Sequence, residues 1–273
     1  MINDFDYFFF DVDGVLFHGH RALRGAVEFI NKLCDLGKEI YFVSNNSWRT
    51  REKQVEFFAK YGITAKKENI LNGAYASAQW ATNYCPRNSK VLTIGEDGVD
   101  EELTEFGFRV TNTRSLNPPN YENLMLNIDP EIKAAIVSHS DSLTHQMIYY
   151  ASIHVQNGAV LASPNYDTQY KFGKFLLPCA ACTVDAVLAS SGTKNFVNIG
   201  KPDPYLLNYI FERDRINKER SIFFGDTMVT DILLAKNAGI KSVLVLTGVE
   251  TLDSYTKYDY SPDYVYESVG KFK

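Results

Sequence analysis

An apolar run that ends in two acidic residues is the feature that most limits how this chain can fold. Residues 7–10 are all aromatic, and Asp11, Val12, Asp13 and Gly14 follow them directly. A run this apolar predicts a strand buried on both faces, and strand periodicity places the Asp11 and Asp13 carboxylates on the same side. Buried carboxylates are costly unless a positive charge neutralises them, so a hard cation with oxygen ligands, Mg²⁺, is the expected counter-charge. The alternative is a strand end whose acids face water, with a turn at Gly14.

Three later apolar runs also end in polar residues. They are residues 40–43 before Ser44 and Asn45, residues 196–200 before Lys201, and residues 221–225 before Asp226. In an open parallel sheet, ligands bind outside the carboxyl ends of the strands. The four strand ends are therefore expected to meet at one site, with a nucleophilic carboxylate, a hydroxyl group, an ammonium group and a further metal-binding carboxylate. Any one of these residues alone is more simply a loop residue or a helix cap, so the prediction rests on their combination and order.

Strand and helix patterns alternate along the chain and predict an α/β fold. After Thr50, an amphipathic pattern places Val55, Phe58 and Ala59 on one helix face. The stretch between about residues 76 and 177 has an alternation of its own, which is long enough for a second α/β domain. Its apolar runs are residues 91–94, 134–137 and 159–162, and its helical patterns lie near residues 101–106 and 144–153.

The polar residues stand in four motifs whose order resembles that of the haloacid dehalogenase superfamily of phosphatases, and more narrowly its p-nitrophenylphosphatase or NagD-like branch. The motifs are residues 11–15, 43–46, 200–202 and 225–231, and further matches to the branch are residues 24–26, 163–167 and 262–264. The resemblance covers nearly the whole chain. Arg24 stands where the branch usually has proline, and residues 138–141 replace a glycine-containing turn. These departures leave the substrate less defined than the chemistry.

The resemblance implies a doubly wound parallel-sheet core, which is Rossmann-like, with an inserted α/β cap domain. The core is expected to comprise residues 1–75 and 178–273, and the cap residues 76–177. Closure of such a cap excludes bulk water, so substrate specificity is expected to reside mainly in the cap.

By the same resemblance, Asp11 would attack phosphorus and become transiently phosphorylated. Asp13 would protonate the leaving alcohol and then activate the water that breaks the intermediate. Ser44, the backbone of Asn45 and the Lys201 ammonium would hold the transferring phosphoryl group.

The resemblance also implies the ligands of the cation. Mg²⁺ would bind a carboxylate oxygen of Asp11, the backbone carbonyl of Asp13 and the carboxylate of Asp226. Asp231, five residues later, would reach a metal-bound water or Lys201. The alternative for Asp231 is a charge at a helix end.

Three residues of the middle region are weaker candidates. Asn165 and Asp167, by resemblance, lie where the cap rejoins the core and would bridge the two, although an Asx turn explains them equally well. His139 stands in the altered turn and is a candidate substrate contact.

Bulk properties limit the partners and the location. The net charge of −5 argues against a nucleic-acid footprint, and the longest apolar stretches are too short to span a bilayer. The acidic start of the chain is unlike a signal peptide, so a cytoplasmic location is expected. The expected partner is a small-molecule phosphate ester, with no nucleic acid and no membrane. Caps of this family often pair, so a homodimer through the cap is one expectation, and the oligomeric state stays open.

Cys179 and Cys182 form a Cys-x-x-Cys pattern, whereas Cys34 and Cys85 lie far apart in sequence. A structural zinc site would normally need a second close pair. The pair opens an apolar helical pattern, so we expect small buried thiols and no redox or metal role.

The resulting hypothesis is a Mg²⁺-dependent phosphomonoester hydrolase that acts on a small phosphorylated metabolite through an aspartyl-phosphate intermediate. The alternative is a phosphoaccepting signalling module or a catalytically silent phosphate-binding regulatory protein. A signalling module needs only about one ordinary domain, and a silent protein has no need of both Asp11 and Asp13. Phosphoglycolate, pyridoxal phosphate, sugar phosphates and nucleotides all stay open as substrates.

Overall fold

A computed structural model describes residues 1–172 and 175–273 of the chain. The strands of these residues are, in chain order, β1 (Tyr7–Phe10), β2 (Phe17–His18), β3 (Arg21–Ala22), β4 (Glu39–Ser44), β5 (Ile70–Asn72), β6 (Lys90–Ile94), β7 (Arg109–Asn112), β8 (Ile132–Val137), β9 (Val160–Ser163), β10 (Gln169–Phe172), β11 (Phe175–Pro178), β12 (Val197–Asn198), β13 (Ser221–Gly225), β14 (Lys241–Val245) and β15 (Tyr264–Tyr266). The α-helices are α1 (Ala26–Asp35), α2 (Arg51–Ala59), α3 (Gly73–Tyr84), α4 (Asp97–Glu105), α5 (His145–Gln156), α6 (Ala180–Ser191), α7 (Tyr205–Asp214) and α8 (Leu233–Ala238). A π-helical turn, Met228–Ile232, leads into α8.

The chain forms two compact units, and the first comprises Met1–Ser44, Arg51–Leu71 and Lys201–Lys273. Its sheet has the strand order β15-β14-β13-β1-β4-β5. Strand β1 runs parallel to β4 on one side and to β13 on the other, and β14 and β15 continue the parallel order. The chain thus builds the sheet outward from β1 in both directions, which creates a topological switch point between β1 and β13. The predicted doubly wound, Rossmann-like core is confirmed.

Strand β1 is buried on both faces, as its uninterrupted apolar run predicts. Phe8, Phe9 and Phe10 are all fully buried. Phe10 stacks on Phe224 of β13 with 4.7 Å between the ring centroids, and Phe9 stacks on Tyr41 of β4 at 4.9 Å. Each buried aromatic ring contributes roughly 1.5–3 kcal/mol relative to an exposed one. These rings therefore fix the strand whose carboxyl end carries Asp11.

The second unit comprises Asn45–Thr50 and Asn72–Gly200. Its five-stranded sheet has the order β12-β9-β8-β6-β7, and its neighbouring strands run parallel. The helical patterns predicted near residues 101–106 and 144–153 are α4 and α5. Strands β10 and β11 pair in antiparallel orientation. Within the described ranges, no helix combines the length and the apolar character that crossing a membrane requires.

The second unit extends beyond the predicted insertion of residues 76–177. Helix α6 contributes Val184 and Val187 to the same core cluster as Leu92 of β6, and β12 pairs with β9. Apolar packing thus holds residues 178–200 in the second unit, although they follow the insertion in sequence. That residues 76–177 act as a cap stays a prediction.

The Cys-x-x-Cys pair lies at the start of α6. Cys179 is partly buried and Cys182 is exposed, so the expectation that both thiols are buried is wrong for Cys182. The Cys182 thiol donates a hydrogen bond to the Thr168 carbonyl, with 3.5 Å between the heavy atoms. Burial raises the pKa of Cys179 to about 11. A thiol with so high a pKa is a poor nucleophile at neutral pH, which agrees with a packing role.

Candidate active site

Three residues at the carboxyl edge of the first unit's sheet come from adjacent strands. Asp11 follows β1, Ser44 ends β4 and Asp226 follows β13. The register pairs Phe10 with Phe224, and the Asp11 N–H donates to the Phe224 carbonyl over 2.9 Å. The two aspartates therefore flank the switch point, where open α/β sheets bind their ligands.

A buried lysine joins two of the predicted aspartates. The Lys201 Nζ lies 2.7 Å from an Oδ1 of Asp11 and 2.7 Å from an Oδ1 of Asp231. Burial alone would lower the pKa of Lys201, but the two carboxylates raise it above its ordinary value, so the ammonium stays charged. Burial raises the pKa of Asp11 well above its ordinary value, against the opposing effect of Lys201. The lysine thus fixes the Asp11 carboxylate in place and reduces its negative charge.

Asp226 is held by two backbone N–H groups of one loop and by the hydroxyl group of its neighbour Thr227. Its Oδ2 accepts the Val249 N–H over 2.8 Å, its Oδ1 accepts the Thr227 hydroxyl over 3.2 Å, and its backbone carbonyl accepts the Glu250 N–H over 3.1 Å. Burial, followed by the nearby charge of Asp231, raises the pKa of Asp226 to about 7. Without a further positive charge nearby, this carboxyl group therefore stays protonated at pH values well above those at which an ordinary aspartate loses its proton.

Asp231 lies on the π-helical turn and is almost completely buried. Its Oδ1 faces Lys201, and its Oδ2 accepts the backbone N–H groups of Asp226 and Thr227 over 3.1 and 3.2 Å. A solvated charge at a helix end does not fit this placement. Asp231 orients both the lysine and the segment that carries Asp226.

Asp11, Asp226 and Asp231 form a group whose carboxylate oxygens lie within 4.8 Å of one another. One ammonium, that of Lys201, cannot balance three buried carboxylates, whereas an added divalent cation supplies the two missing positive charges. Carboxylate oxygens are the ligands that hard cations prefer. The residues present therefore fit a divalent cation beside Asp11 and Asp226.

Glycines leave the room that the Asp226 carboxylate occupies. Gly14 has a φ of +87°, and a Cβ added there would overlap the carboxylate oxygen of Asp226. A Cβ at Gly248 would overlap the same oxygen. A side chain at either position would therefore displace Asp226, so the site requires glycine at both positions.

Asp13 does not share the environment of Asp11. The strand ends at Phe10, and Asp13 forms an isolated bridge with Phe17 before the left-handed turn at Gly14. Asp11 is buried and Asp13 is exposed, so strand periodicity does not hold across both residues. The Asp13 carboxylate also lies outside the group of three. Its predicted metal contact is the backbone carbonyl, and that contact stays a prediction.

Within the second unit, Asn45 is held by two residues of the mid-chain motif. The Asn45 side-chain amide donates to an oxygen of Asp167 over 3.2 Å, and its backbone carbonyl accepts the Asn165 amide over 2.9 Å. The Asn165 Oδ1 is buried and has no hydrogen-bond partner among the described residues. The two residues thus orient the backbone that follows Ser44, which goes beyond what an Asx turn would do.

His139 follows β8 and belongs to a cluster of three rings in the second unit. Its ring stacks on Trp48 with 5.4 Å between the centroids, and Tyr170 meets it edge-on at 5.7 Å. The His139 Nε2 lies 2.9 Å from an oxygen of Asp141. Sequence reasoning does not single out Trp48 or Tyr170, although Trp48 stands only four positions after Ser44.

The loop at residues 247–250 is the other part of the site that sequence reasoning misses. Thr247 donates its hydroxyl to the Gly14 carbonyl over 2.6 Å, and His18 lies 2.8 Å from the Thr247 carbonyl. Together with the contacts of Val249 and Glu250 to Asp226, these bonds join the loop to the first and fourth motifs. Gly248 stands shortly after the apolar strand β14. A glycine in such a place is the sequence signal that the backbone comes close to another group.

Comparisons with known proteins agree with this arrangement. A family model described as haloacid dehalogenase-like hydrolase matches residues 8–109, and one described as HAD-hydrolase-like matches residues 198–272. The 4-nitrophenylphosphatase of Schizosaccharomyces pombe is 32% identical over 99% of this chain and 94% of that protein. Phosphoglycolate phosphatase 2 of Arabidopsis thaliana is 29% identical over 99% of this chain and 93% of that protein. The solved structure of NagD from Escherichia coli K-12 has a TM-score of 0.83 at 26% identity, with 98% of each chain covered.

The doubly wound sheet has buried aspartates and a lysine at its switch point, and together with these matches it identifies a hydrolase. The chain belongs to the haloacid dehalogenase-like hydrolase family and, within it, to the phosphatase branch that includes the 4-nitrophenylphosphatases and NagD.

Proposed function

We propose that the chain hydrolyses monoesters of small phosphorylated metabolites with Mg²⁺, through an aspartyl-phosphate intermediate on Asp11. The observation that carries the proposal is the buried contact of Lys201 with Asp11 and Asp231, each over 2.7 Å. This contact orients one Asp11 oxygen on the ammonium and leaves its carboxylate at the ligand-binding edge of the sheet. An oriented, partly neutralised carboxylate is suited to nucleophilic attack on an anionic phosphate.

Two steps follow from the roles of the aspartates. In the first, an oxygen of Asp11 bonds to phosphorus, the ester P–O bond breaks, and Asp13 gives a proton to the departing alkoxide. In the second, Asp13 takes a proton from water as the water oxygen attacks phosphorus, and the bond between phosphorus and Asp11 breaks. Phosphate leaves and both aspartates return to their first state. Asp13 would change its protonation state twice in each turnover.

The phosphoryl group is proposed to lie against Ser44, the Asn45 backbone and Lys201, where positioning and charge stabilisation supply most of the catalysis. Asn165 and Asp167 would keep the Asn45 segment in place. His139, with its neighbouring rings, is proposed to contact the leaving group.

Asp11, Asp226 and the backbone carbonyl of Asp13 would hold the Mg²⁺. When bound, the ion neutralises negative charge on the phosphate and on the nucleophile. Asp231 would act through Lys201 and the Asp226 segment instead of binding the ion directly, because its oxygens already accept three hydrogen bonds.

The substrate is proposed to be a small phosphate ester, because the relatives include phosphatases named for phosphoglycolate and for 4-nitrophenyl esters. Residues 76–177 would act as the cap that selects among such esters. A cytoplasmic location and a homodimer through the cap stay predictions.

Phosphate release from a panel of phosphomonoesters tests the proposal. Wild type is compared with Asp11→Asn, which removes the nucleophile with little change in volume, and with Asp35→Asn, an exposed aspartate of α1, as the matched control. We expect release with Mg²⁺ by wild type and the control, and none by Asp11→Asn or after chelation. Full activity of folded Asp11→Asn would contradict the mechanism. Phosphate binding by wild type without release from any ester would favour the silent binding role.

A further inference from the structure

Glu250 is a buried acidic residue that the mechanism above does not use. Only 5% of it is exposed, and its carboxyl group accepts hydrogen bonds from three neutral groups. The Met228 N–H lies 3.3 Å from Oε1, the Tyr258 hydroxyl lies 3.2 Å from the same oxygen, and the Ser254 hydroxyl contacts Oε2. The Met228 N–H can only donate, and the two hydroxyl groups are placed to donate to the same carboxyl group. Burying such a group in a small loop calls for a reason beyond the loop itself.

The backbone beside Glu250 holds Asp226. The Glu250 N–H donates to the Asp226 carbonyl, and the Val249 N–H donates to its carboxylate. Gly248 comes so close that an added Cβ would overlap the Asp226 carboxylate. A small shift of the 247–250 loop would therefore break the Val249 bond or press on the carboxylate.

The Glu250 side chain ties this loop to the segment that follows Asp226. Its partner Met228 is the first residue of the π-helical turn that carries Asp231. One carboxylate thus joins the two segments between which Asp226 lies. Both segments also reach other site residues, because Thr247 bonds Gly14 and Asp231 bonds Lys201.

We infer that Glu250 is a positioning residue for the cation site: by tying the 247–250 loop to Met228, it fixes Asp226 in its ligating orientation. The inference rests on the proposed function, because that function assigns Asp226 to Mg²⁺. Residues that orient a metal ligand without touching the metal often control its affinity strongly. Glu250 would act in this way through two backbone N–H groups.

Tyr260 supplies a matched control. Its hydroxyl donates to the Met228 carbonyl over 3.0 Å, so it holds the same residue as Glu250 does. It makes no bond to Asp226 in the contacts of the described residues. Tyr260→Phe removes one hydrogen bond from the π-helical turn and leaves the 247–250 loop tied by Glu250.

Direct Mg²⁺ binding to the full chain, measured by titration calorimetry, tests the inference, with thermal unfolding in chelator as the measure of general damage. We expect Mg²⁺ affinity to fall about tenfold in Glu250→Ala and about threefold in Glu250→Gln, which keeps the volume and one acceptor. Tyr260→Phe is expected to change the affinity less than about twofold even where it lowers the melting temperature. If Glu250→Ala does not fold, the comparison of Glu250→Gln with Tyr260→Phe decides.

Each outcome bears on the inference. Wild-type affinity in the folded Glu250 variants, or an equal loss in Tyr260→Phe, would overturn the positioning role. Mg²⁺ binding that is absent from wild type would overturn the proposed cation and the inference with it. Activity that is lost in Asp11→Asn while Mg²⁺ binding in the Glu250 variants is unchanged would keep the proposed function and reject only the role of Glu250.

Discussion

The Lys201 ammonium lies 2.7 Å from the Asp11 carboxylate, although 190 positions separate the two residues in the chain. Lys201 is the first residue of the chain's return to the first unit, and Asp11 follows that unit's central strand. The contact therefore forms only when β1 and the segment Lys201–Lys273 have come together. The fold and the charge of Asp11, the proposed nucleophile, therefore depend on the same ion pair.

Replacing Lys201 is expected to destabilise the protein as well as inactivate it. Lys201→Met keeps much of the side-chain length but leaves Asp11 and Asp231 buried without their ammonium. Removing one partner of a buried ion pair costs about 3–5 kcal/mol. We expect the free energy of unfolding in urea to fall by about that amount, whereas Lys194→Met, at an exposed lysine, should change it by less than about 0.5 kcal/mol. Equal stability of the two variants would mean that the ion pair contributes nothing to the fold.

Gly248→Ala is expected to weaken cation binding with little effect on the core. The added methyl group would overlap the Asp226 carboxylate and force it to move. Gly95→Ala is the control, because the nearest atom to a Cβ there is at 3.4 Å, an ordinary contact. The stabilisation of each variant by added Mg²⁺, followed by thermal unfolding, distinguishes them. A Mg²⁺ response of Gly248→Ala that matches the control would show that the site has room to spare.

The raised pKa of Asp226 predicts an unusual dependence of stability on pH in the presence of chelator. The folded protein keeps the proton on Asp226 up to about pH 7, whereas the unfolded chain releases it near pH 3.8. Between these values the folded state binds more protons, so the contribution of this residue to stability falls as pH rises. Asp226→Asn removes the effect. In urea unfolding with chelator, we expect wild type to lose on the order of 2 kcal/mol relative to Asp226→Asn between pH 5 and pH 8.

Added Mg²⁺ should reverse that loss in wild type, because a bound cation favours the charged carboxylate. Asp226→Asn should show little response. A difference between the two proteins that does not vary with pH would contradict the raised pKa.

Much of the site follows from strand ends that sequence reasoning can locate. Asp11, Ser44 and Asp226 stand directly behind apolar runs, and parallel strands bring their carboxyl ends to one edge. Lys201 joins them in the structure although no strand of the first unit precedes it, because β12 belongs to the other sheet. The motif around Lys201 predicts that it reaches the site. The apolar run before it does not, because that run forms a strand of the second unit's sheet.

The sequence-based predictions are wrong where tertiary contacts override local patterns. In α2 the periodic pattern predicts a face of Val55, Phe58 and Ala59, but Ala59 is exposed and Phe57 is buried. The ring centroids of Phe57 and Phe58 lie 5.0 and 5.8 Å from that of Phe17 in β2. This packing places Phe57 on the buried face of the helix, where the periodic pattern predicts Ala59. No local pattern contains that information.

The 247–250 loop escapes sequence reasoning for a different reason. Its contributions to the site are the backbone N–H groups of Val249 and Glu250, which have no residue-type signature, and the missing side chain of Gly248. The glycine signals a close approach but does not say to which residue. Only the path of the backbone shows that the loop surrounds Asp226.

The central position of β1 has a consequence for the nascent chain. Its partner β4 is made soon afterwards, but residues 7–10 pair on their other side with residues 221–224 of β13. During synthesis, one edge of the most aromatic strand therefore has no native neighbour until most of the chain has left the ribosome. Unpaired apolar edges invite pairing between chains, so aggregation during slow or truncated synthesis is the hazard built into this order of strands.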